Sequence, residues 1–305
     1  FVCRWSGGSN AGHTIFIDGI EYHTHIIPAG IFYGIKSFIG PDCYINMKDF
    51  DTEMEYLKSH GFNTDLVKIS PKAHLVTEQQ VLEDKQQNMP NKTSTGKGIA
   101  PCSRDKFARN GILVKDGIWD KYRSNIWDKT LYGDLLCEGS QGFWLDINHG
   151  NYPYVTSSYT LPYSACSLGF PPQVIRDIYG AAKIYDTRVG KDPDFEDDYD
   201  MELLNAISNI GKEFGVTTGR KRQVKWLNID KLLKSINISG CTVVVISKID
   251  VLINFGIYKI YFKDKYQEFN SLEEMINKIN SILLQNCKLL HKVLFSDNPH
   301  NIDNL

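Results

Sequence analysis

The sequence predicts an α/β fold with a large, mostly parallel central sheet flanked by helices. Three observations predict it. Leu131–Cys137 and Thr242–Ile246 are short apolar runs of the kind buried in parallel sheets. Leu272–Gln285 is strongly amphipathic, with Leu272, Met275, Ile276, Ile279, Ile282 and Leu283 on one face and Ser271 and Glu274 placed as a capping box. Such strands and helices alternate along the chain. In order, Thr14–Ile17 and Ile20–Ile27 are β-rich runs joined by Asp18-Gly19, a tight-hairpin signal. Asp49–Ser59 reads as a helix stopped by Gly61, and Leu66–Ile69 as a strand. Asp192–Asp200 is acidic and reads as a solvated loop.

At 305 residues the chain can bury a substantial core, and residues 1–305 read as a single domain. A net charge of -2 gives no electrostatic reason for a nucleic-acid or membrane partner. The seven scattered cysteines form no C-x-x-C pair, which favours reduced thiols in a cytoplasmic compartment. Phe1-Val2-Cys3 reads like the end of a buried strand, so a native start is expected upstream.

Five segments combine glycine with polar residues beside predicted elements. In Gly7-Gly8-Ser9-Asn10-Ala11-Gly12-His13-Thr14, small residues allow close approach to an anion. Asn10 and His13 supply polar groups there, and an imidazole could stabilise a phosphoryl group or protonate a leaving oxygen. A glycine-rich turn with a structural histidine fits the same residues. Thr93-Ser94-Thr95-Gly96-Lys97-Gly98 suits phosphate but lacks Walker A spacing. Glu138-Gly139-Ser140-Gln141-Gly142 holds a glutamine between glycines after a strand, able to read a heterocycle edge. Phe214-Gly215-Val216-Thr217-Thr218-Gly219-Arg220-Lys221-Arg222 fits a carboxylate-bearing substrate, or a nucleic-acid-binding or solvated basic patch. Ser247-Lys248-Ile249-Asp250 could embrace a guanine, or be a solvated pair.

Taken together and in order, these segments resemble the adenylosuccinate synthetase family along the whole chain. His149-Gly150-Asn151-Tyr152-Pro153-Tyr154-Val155-Thr156-Ser157-Ser158 and Thr187-Arg188-Val189-Gly190 add to the match. The resemblance implies a P-loop-NTPase-like sheet and a ligase that joins L-aspartate to IMP with GTP hydrolysis, through 6-phosphoryl-IMP. It implies His13 and Gln141 as catalytic residues, and Asn10, Thr95, Arg109, Gln141, Thr156, Val189 and Arg220 around IMP. Thr217, Thr218, Arg220 and Arg222 would take aspartate. Gly12, His13, Thr14, Lys248, Asp250, Ser296 and Asn298 would take GTP, with the Gly12 carbonyl on Mg²⁺. Arg109 acting in trans implies a homodimer.

Some positions depart from the family pattern. The family's N-terminal phosphate loop, with a catalytic aspartate and a lysine, is expected just upstream of Phe1. Lys97 stands where an arginine is usual, and Asn298 replaces a glycine. The stretch from Phe262 to Leu272 is short, as in compact relatives. Two rival readings share the resemblance: a viral-type enzyme joining aspartate to dGMP, and a catalytically inactive nucleotide-binding homologue. Lys248, Asp250 and the Thr217–Arg220 run favour the enzyme using GTP and IMP.

Overall fold

The computed structural model describes residues 1–87, 94–195, 200–215, 219–300 and 302. Its contacts divide the chain into two compact units, one built on Phe1–Val174 and the other on Ile175–Gly215 with Gly219–Leu305. Among the described residues no helix is long and apolar enough to cross a membrane.

The first unit carries strands β1 (Val2–Gly8), β2 (His13–Ile17), β3 (Ile20–Thr24), β4 (Ser37–Asn46), β5 (Val67–Ile69), β6 (His74–Val76), β7 (Ile112–Leu113) and β8 (Leu136–Glu138). Its helices are α1 (Met47–Ser59), α2 (Glu78–Gln87), α3 (Ile99–Phe107) and α4 (Val114–Gly117). The sheet runs β7-β6-β4-β1-β8, with β5 also on β4, and every pairing except β6 with β7 is parallel. All seven residues of β1 are buried, as a central parallel strand covered on both faces must be. Phe50, Met54 and Leu57 of α1 pack with Ile39, Ile45 and Ile69 of the sheet in one apolar core.

The second unit carries β9 (Tyr179–Lys183), β10 (Tyr185–Arg188), β11 (Gln223–Asn228), β12 (Val243–Ser247), β13 (Tyr258–Phe262), β14 (Lys265–Phe269) and β15 (Lys292–Phe295). Its helices are α5 (Met201–Ile210), α6 (Ile229–Ser239), α7 (Ile249–Phe255) and α8 (Leu272–Asn286). One sheet is the parallel trio β15-β12-β9, the other the mixed set β10-β11-β13-β14. Met275, Ile276, Ile279, Ile282 and Leu283 of α8 are buried in this unit's core, as their spacing predicts.

The differences from the sequence reading have local causes. The hairpin β2–β3 forms with Asp18 and Gly19 both at positive φ, but β3 ends at Thr24. Beyond it, the N–H groups of His25, Ile26 and Ile27 donate to the buried Glu53 carboxylate instead of a strand. The Leu131–Cys137 run is a strand only from Leu136, because Gly133 turns at φ 73°. Leu66 closes a 3-10 turn, and β5 begins at Val67. At α8 the Ser271 hydroxyl accepts the Glu274 N–H, but the Glu274 carboxylate receives the Asn270 N–H, one residue before the cap. The acidic stretch is not simply solvated. Asp192 is buried beside Arg188, and Asp200 accepts from Trp226 and Lys259.

Candidate active site

Within the first unit, the opening loop joins a buried central strand to a hairpin. Gly7 and Gly8 are the last residues of β1, and His13 is the first of β2. Gly8 is dictated by crowding: a Cβ there would sit 2.5 Å from the Tyr44 carbonyl oxygen. The Asn10 Oδ1 accepts the Gly8 N–H at 3.1 Å, so this side chain folds the loop back on itself. Ser9 Oγ donates to Asp49 Oδ2 at 2.7 Å, and Lys97 Nζ reaches the same oxygen at 3.1 Å. Asp49 thus ties the opening loop to the Ser94–Gly98 loop.

The structure brings His13 together with two residues the sequence did not single out as site residues. Arg4 and Glu138 are partners on the adjacent parallel strands β1 and β8. Arg4 Nη2 donates to Glu138 Oε1 at 2.7 Å, and Arg4 Nη1 lies 2.7 Å from His13 Nε2. His13 Nδ1 lies 3.0 Å from the same Glu138 oxygen. Burial alone would raise the Glu138 carboxyl, but the His13 hydrogen bond, the Arg4 charge and the Ala29 N–H hold it down at about 2.

Directly after β8, Ser140 Oγ donates to the Ser6 carbonyl and pins the next loop to β1. Gln141 follows at φ 71°, and its Nε2 is buried with no hydrogen-bond partner. Ser94 Oγ and the Gly98 N–H both donate to the buried Asp84 carboxylate, so the Ser94 hydroxyl is engaged in shaping its own loop. Thr95 and Thr156 are half-buried, and the Thr156 N–H donates to the Leu145 carbonyl. Asp146, fully buried, organises that segment by accepting the N–H groups of Asn148 and Thr160. Arg109 is exposed just past the end of α3, at φ 65°.

In the second unit, Lys248 follows β12 at φ 68° and its Nζ donates to the Gly211 carbonyl. Asp250 lies in the first turn of α7. Because β15 is parallel to β12, Ser296 arrives at the same strand end, where its N–H donates to the Ile246 carbonyl and its hydroxyl to the Asn298 carbonyl. The sequence-chosen Lys248, Asp250, Ser296 and Asn298 are therefore neighbours. Val189 is half-buried just after β10, and Arg220 is half-buried. Arg222 Nη1 donates to Glu213 Oε2 at 2.8 Å; Lys183 Nζ and Tyr185 Oη donate to the same carboxylate at 2.7 Å each. Burial lowers Lys183 to about 8 against the opposing pull of Glu213. Thr217 and Thr218 lie outside the described residues.

Sequence reasoning passed over Arg4, Asp49, Asp84, Asp146 and Glu213. Each acts by holding a loop or another charged group. Only Glu138 carried a local signal, as the first residue of the Glu138–Gly142 string.

Polar, glycine-edged loops gathered at the ends of parallel strands are what an α/β enzyme that handles nucleotides presents to its substrates. The family profile described as adenylosuccinate synthetase matches residues 1–129 and 121–294. The chain belongs to the adenylosuccinate synthetase family. The adenylosuccinate synthetase of Lysinibacillus sphaericus is 35% identical over 314 residues, covering 85% of this chain and 73% of the relative. That of Candida glabrata is 34% identical, covering 92% and 80%. Among solved structures, the fully ligated adenylosuccinate synthetase of Plasmodium falciparum has the same fold, with a TM-score of 0.82, 24% identity, and 98% and 91% of the two chains covered. The succinoaminodeoxyadenylate synthetase of cyanophage S-2L, bound to dGMP and dATP, is less similar, at TM-score 0.69 and 19% identity over 98% and 84%. The chain is thus a GTP-dependent carbon–nitrogen ligase. Its reaction joins L-aspartate to IMP through 6-phosphoryl-IMP, giving adenylosuccinate, GDP and phosphate.

Proposed function

We propose that the two sets of loops divide this reaction between them. In the first unit, His13 acts at the phosphoryl group transferred to the purine oxygen. Gln141 reads the hypoxanthine edge, while Asn10, Thr95 and Thr156 contact the rest of IMP; Val189 and Arg220, which belong to the second unit, are further IMP-binding residues of this reading. In the second, Lys248 and Asp250 select guanine under the Ser296–Asn298 turn. Arg220 and Arg222 take the aspartate carboxylates, a role this reading also gives Thr217 and Thr218. The loop from Gly12 to Thr14, in the first unit, is assigned to the GTP phosphates.

The observation that carries this reading is Gln141. A buried amide nitrogen without a partner is costly unless a ligand supplies one, and Gln141 Nε2 is such an atom, in a loop pinned to β1 beside the opening loop. Positioning and charge stabilisation supply most of the catalysis in such a phosphoryl transfer.

Mg²⁺ fits the residues present in one form only. Among the described residues there is no group of three or more His, Cys, Asp or Glu side chains able to hold a metal. The donor set suits a hard cation carried largely by nucleotide phosphates and water, with the Gly12 carbonyl as a protein oxygen. Such an ion supplies charge neutralisation at the phosphates.

The exposed Arg109, past the end of α3, is suited to reaching IMP of a second copy, which makes the working enzyme a homodimer. The family match from 121 to 294 runs across both compact units and supports reading residues 1–305 as one synthetase domain. Seven free cysteines fit a reducing cytoplasm.

A coupled assay offering aspartate and GTP with IMP or dGMP tests the substrate. Turnover is expected with IMP, and turnover on dGMP alone would falsify the choice. His13→Asn is expected to lower kcat by about 10³-fold while leaving IMP affinity within about threefold; unchanged turnover removes His13 from the chemistry.

A further inference from the structure

An imidazole has two nitrogens, and its chemistry depends on which one carries the proton. The surroundings of His13 decide this. Arg4 is almost completely buried, at 1% side-chain exposure, and its guanidinium offers donors only. With Nη1 at 2.7 Å from His13 Nε2, that nitrogen must be the acceptor and hold the lone pair. The ring proton therefore sits on Nδ1, where Glu138 Oε1 receives it at 3.0 Å. The clamp is rigid on its far side as well. The second Glu138 oxygen accepts the Ala29 N–H at 2.8 Å, and Arg4 Nη2 holds Oε1 at 2.7 Å. The pairing of β1 with β8 places Arg4 and Glu138 side by side, so the sheet fixes the geometry.

We propose that Arg4 and Glu138 are positioning residues of the ligase reaction, holding His13 as its Nδ1–H tautomer so that Nε2 is the nitrogen that meets the reacting oxygens. The proposal rests on the reading of His13 as catalytic. Both ring nitrogens are engaged in the structure, and the two contacts differ in kind. The Nδ1 contact is to a carboxylate that Arg4 and the Ala29 N–H also hold. The Nε2 contact can pass to substrate while Arg4 stays bound to Glu138 through Nη2. An imidazolium formed during the reaction would then keep its counter-charge at Nδ1.

The direct test is the nitrogen-15 spectrum of the histidine rings in the full-length, ligand-free protein, with His13 assigned by the signals lost in His13→Asn. A protonated Nδ1 and an unprotonated Nε2 are expected. The opposite tautomer, the one favoured by free histidine in water, overturns the proposal with no variant needed. Kinetics supply the second test. Glu138→Gln should lower kcat by about 10²-fold with the KM for IMP within about threefold, and should mix the two tautomers. Arg4→Lys should retain more activity than Arg4→Met. A Glu138→Gln enzyme with lowered Tm but wild-type kcat and an unchanged ring spectrum would show a merely structural pair and overturn the idea. If Arg4→Met does not fold, the wild-type spectrum and Glu138→Gln still decide. The underlying reading fails separately: His13→Asn with full turnover removes catalysis from His13 whatever tautomer is found. An inactive His13→Asn beside a fully active Glu138→Gln refutes the clamp alone.

Discussion

Each compact unit holds a carboxylate that gathers several polar partners, half-buried Glu138 in the first and buried Glu213 in the second, and the two are used differently. Glu138 gathers Arg4, the Ala29 N–H and an imidazole that is about one-fifth exposed. Glu213 gathers Lys183, Arg222 and the Tyr185 hydroxyl, and only 1% of its side chain is exposed. Burial works to raise the Glu213 carboxyl, yet Lys183, Tyr185 and Arg222 hold it below the ordinary range. With two cations on one anion, its cluster carries a net positive charge, whereas the Arg4–Glu138 pair is neutral and leaves the ring charge to chemistry. On the proposed assignment of the site residues, one carboxylate governs a proton and the other shapes a field suited to a dicarboxylate substrate.

The largest expected effect separates these uses by removing the second hub. Glu213→Ala removes a buried carboxylate and leaves the half-buried Lys183 and Arg222 without their shared partner. It should cost about 3–5 kcal/mol of unfolding free energy in urea titrations. A loss under about 1 kcal/mol would mean that the cluster is solvated and the contrast false.

Acid titration tests the first hub. The Glu138 carboxyl is held at about 2 against an ordinary 4.5. Its contribution to stability should therefore be complete above pH 4.5 and disappear as the pH falls toward 2. The Tm difference between wild type and Glu138→Gln should be flat at neutral pH and shrink below 4.5; a difference constant down to pH 2 would contradict the ion pair.

A third test concerns the field. Lys183→Met leaves Glu213 with Arg222 and Tyr185, so stability should change by only about 1–2 kcal/mol. The KM for aspartate should rise by about tenfold while that for IMP stays near wild type. Equal changes in both would show that the positive charge is not directed at aspartate. The smallest effect is expected at Asp49, which is one-third exposed. Asp49→Asn should cost at most about 1 kcal/mol, since exposed pairs contribute little.

The same contrast explains what could be read in the sequence. Features written into neighbouring residues were legible: the Asp18-Gly19 hairpin, the apolar face of α8, and the strand–loop junctions at Glu138–Gly142 and Ser247–Asp250. Hubs assembled across long separations were not. Arg4 and Glu138 are 134 residues apart, and only the register of β1 with β8 makes them neighbours. Glu213 stands just before the Phe214–Arg222 run and outside it, and its role exists only because β9 and β10 bring Lys183 and Tyr185 to it. Asp192 and Asp200 misled for the same reason. Their acidity suggested solvent, but their partners Arg188, Trp226 and Lys259 come from other segments or a local turn that composition cannot reveal.

The Asn10 side chain, closed onto the Gly8 N–H, has a consequence for binding thermodynamics. A loop this small and glycine-rich would otherwise sample many shapes, and a nucleotide would have to select one at the expense of affinity. Here the selection is made when the chain folds. The freedom that Gly8, Ser9 and Ala11 could have introduced is reduced by their hydrogen bonds before any ligand arrives.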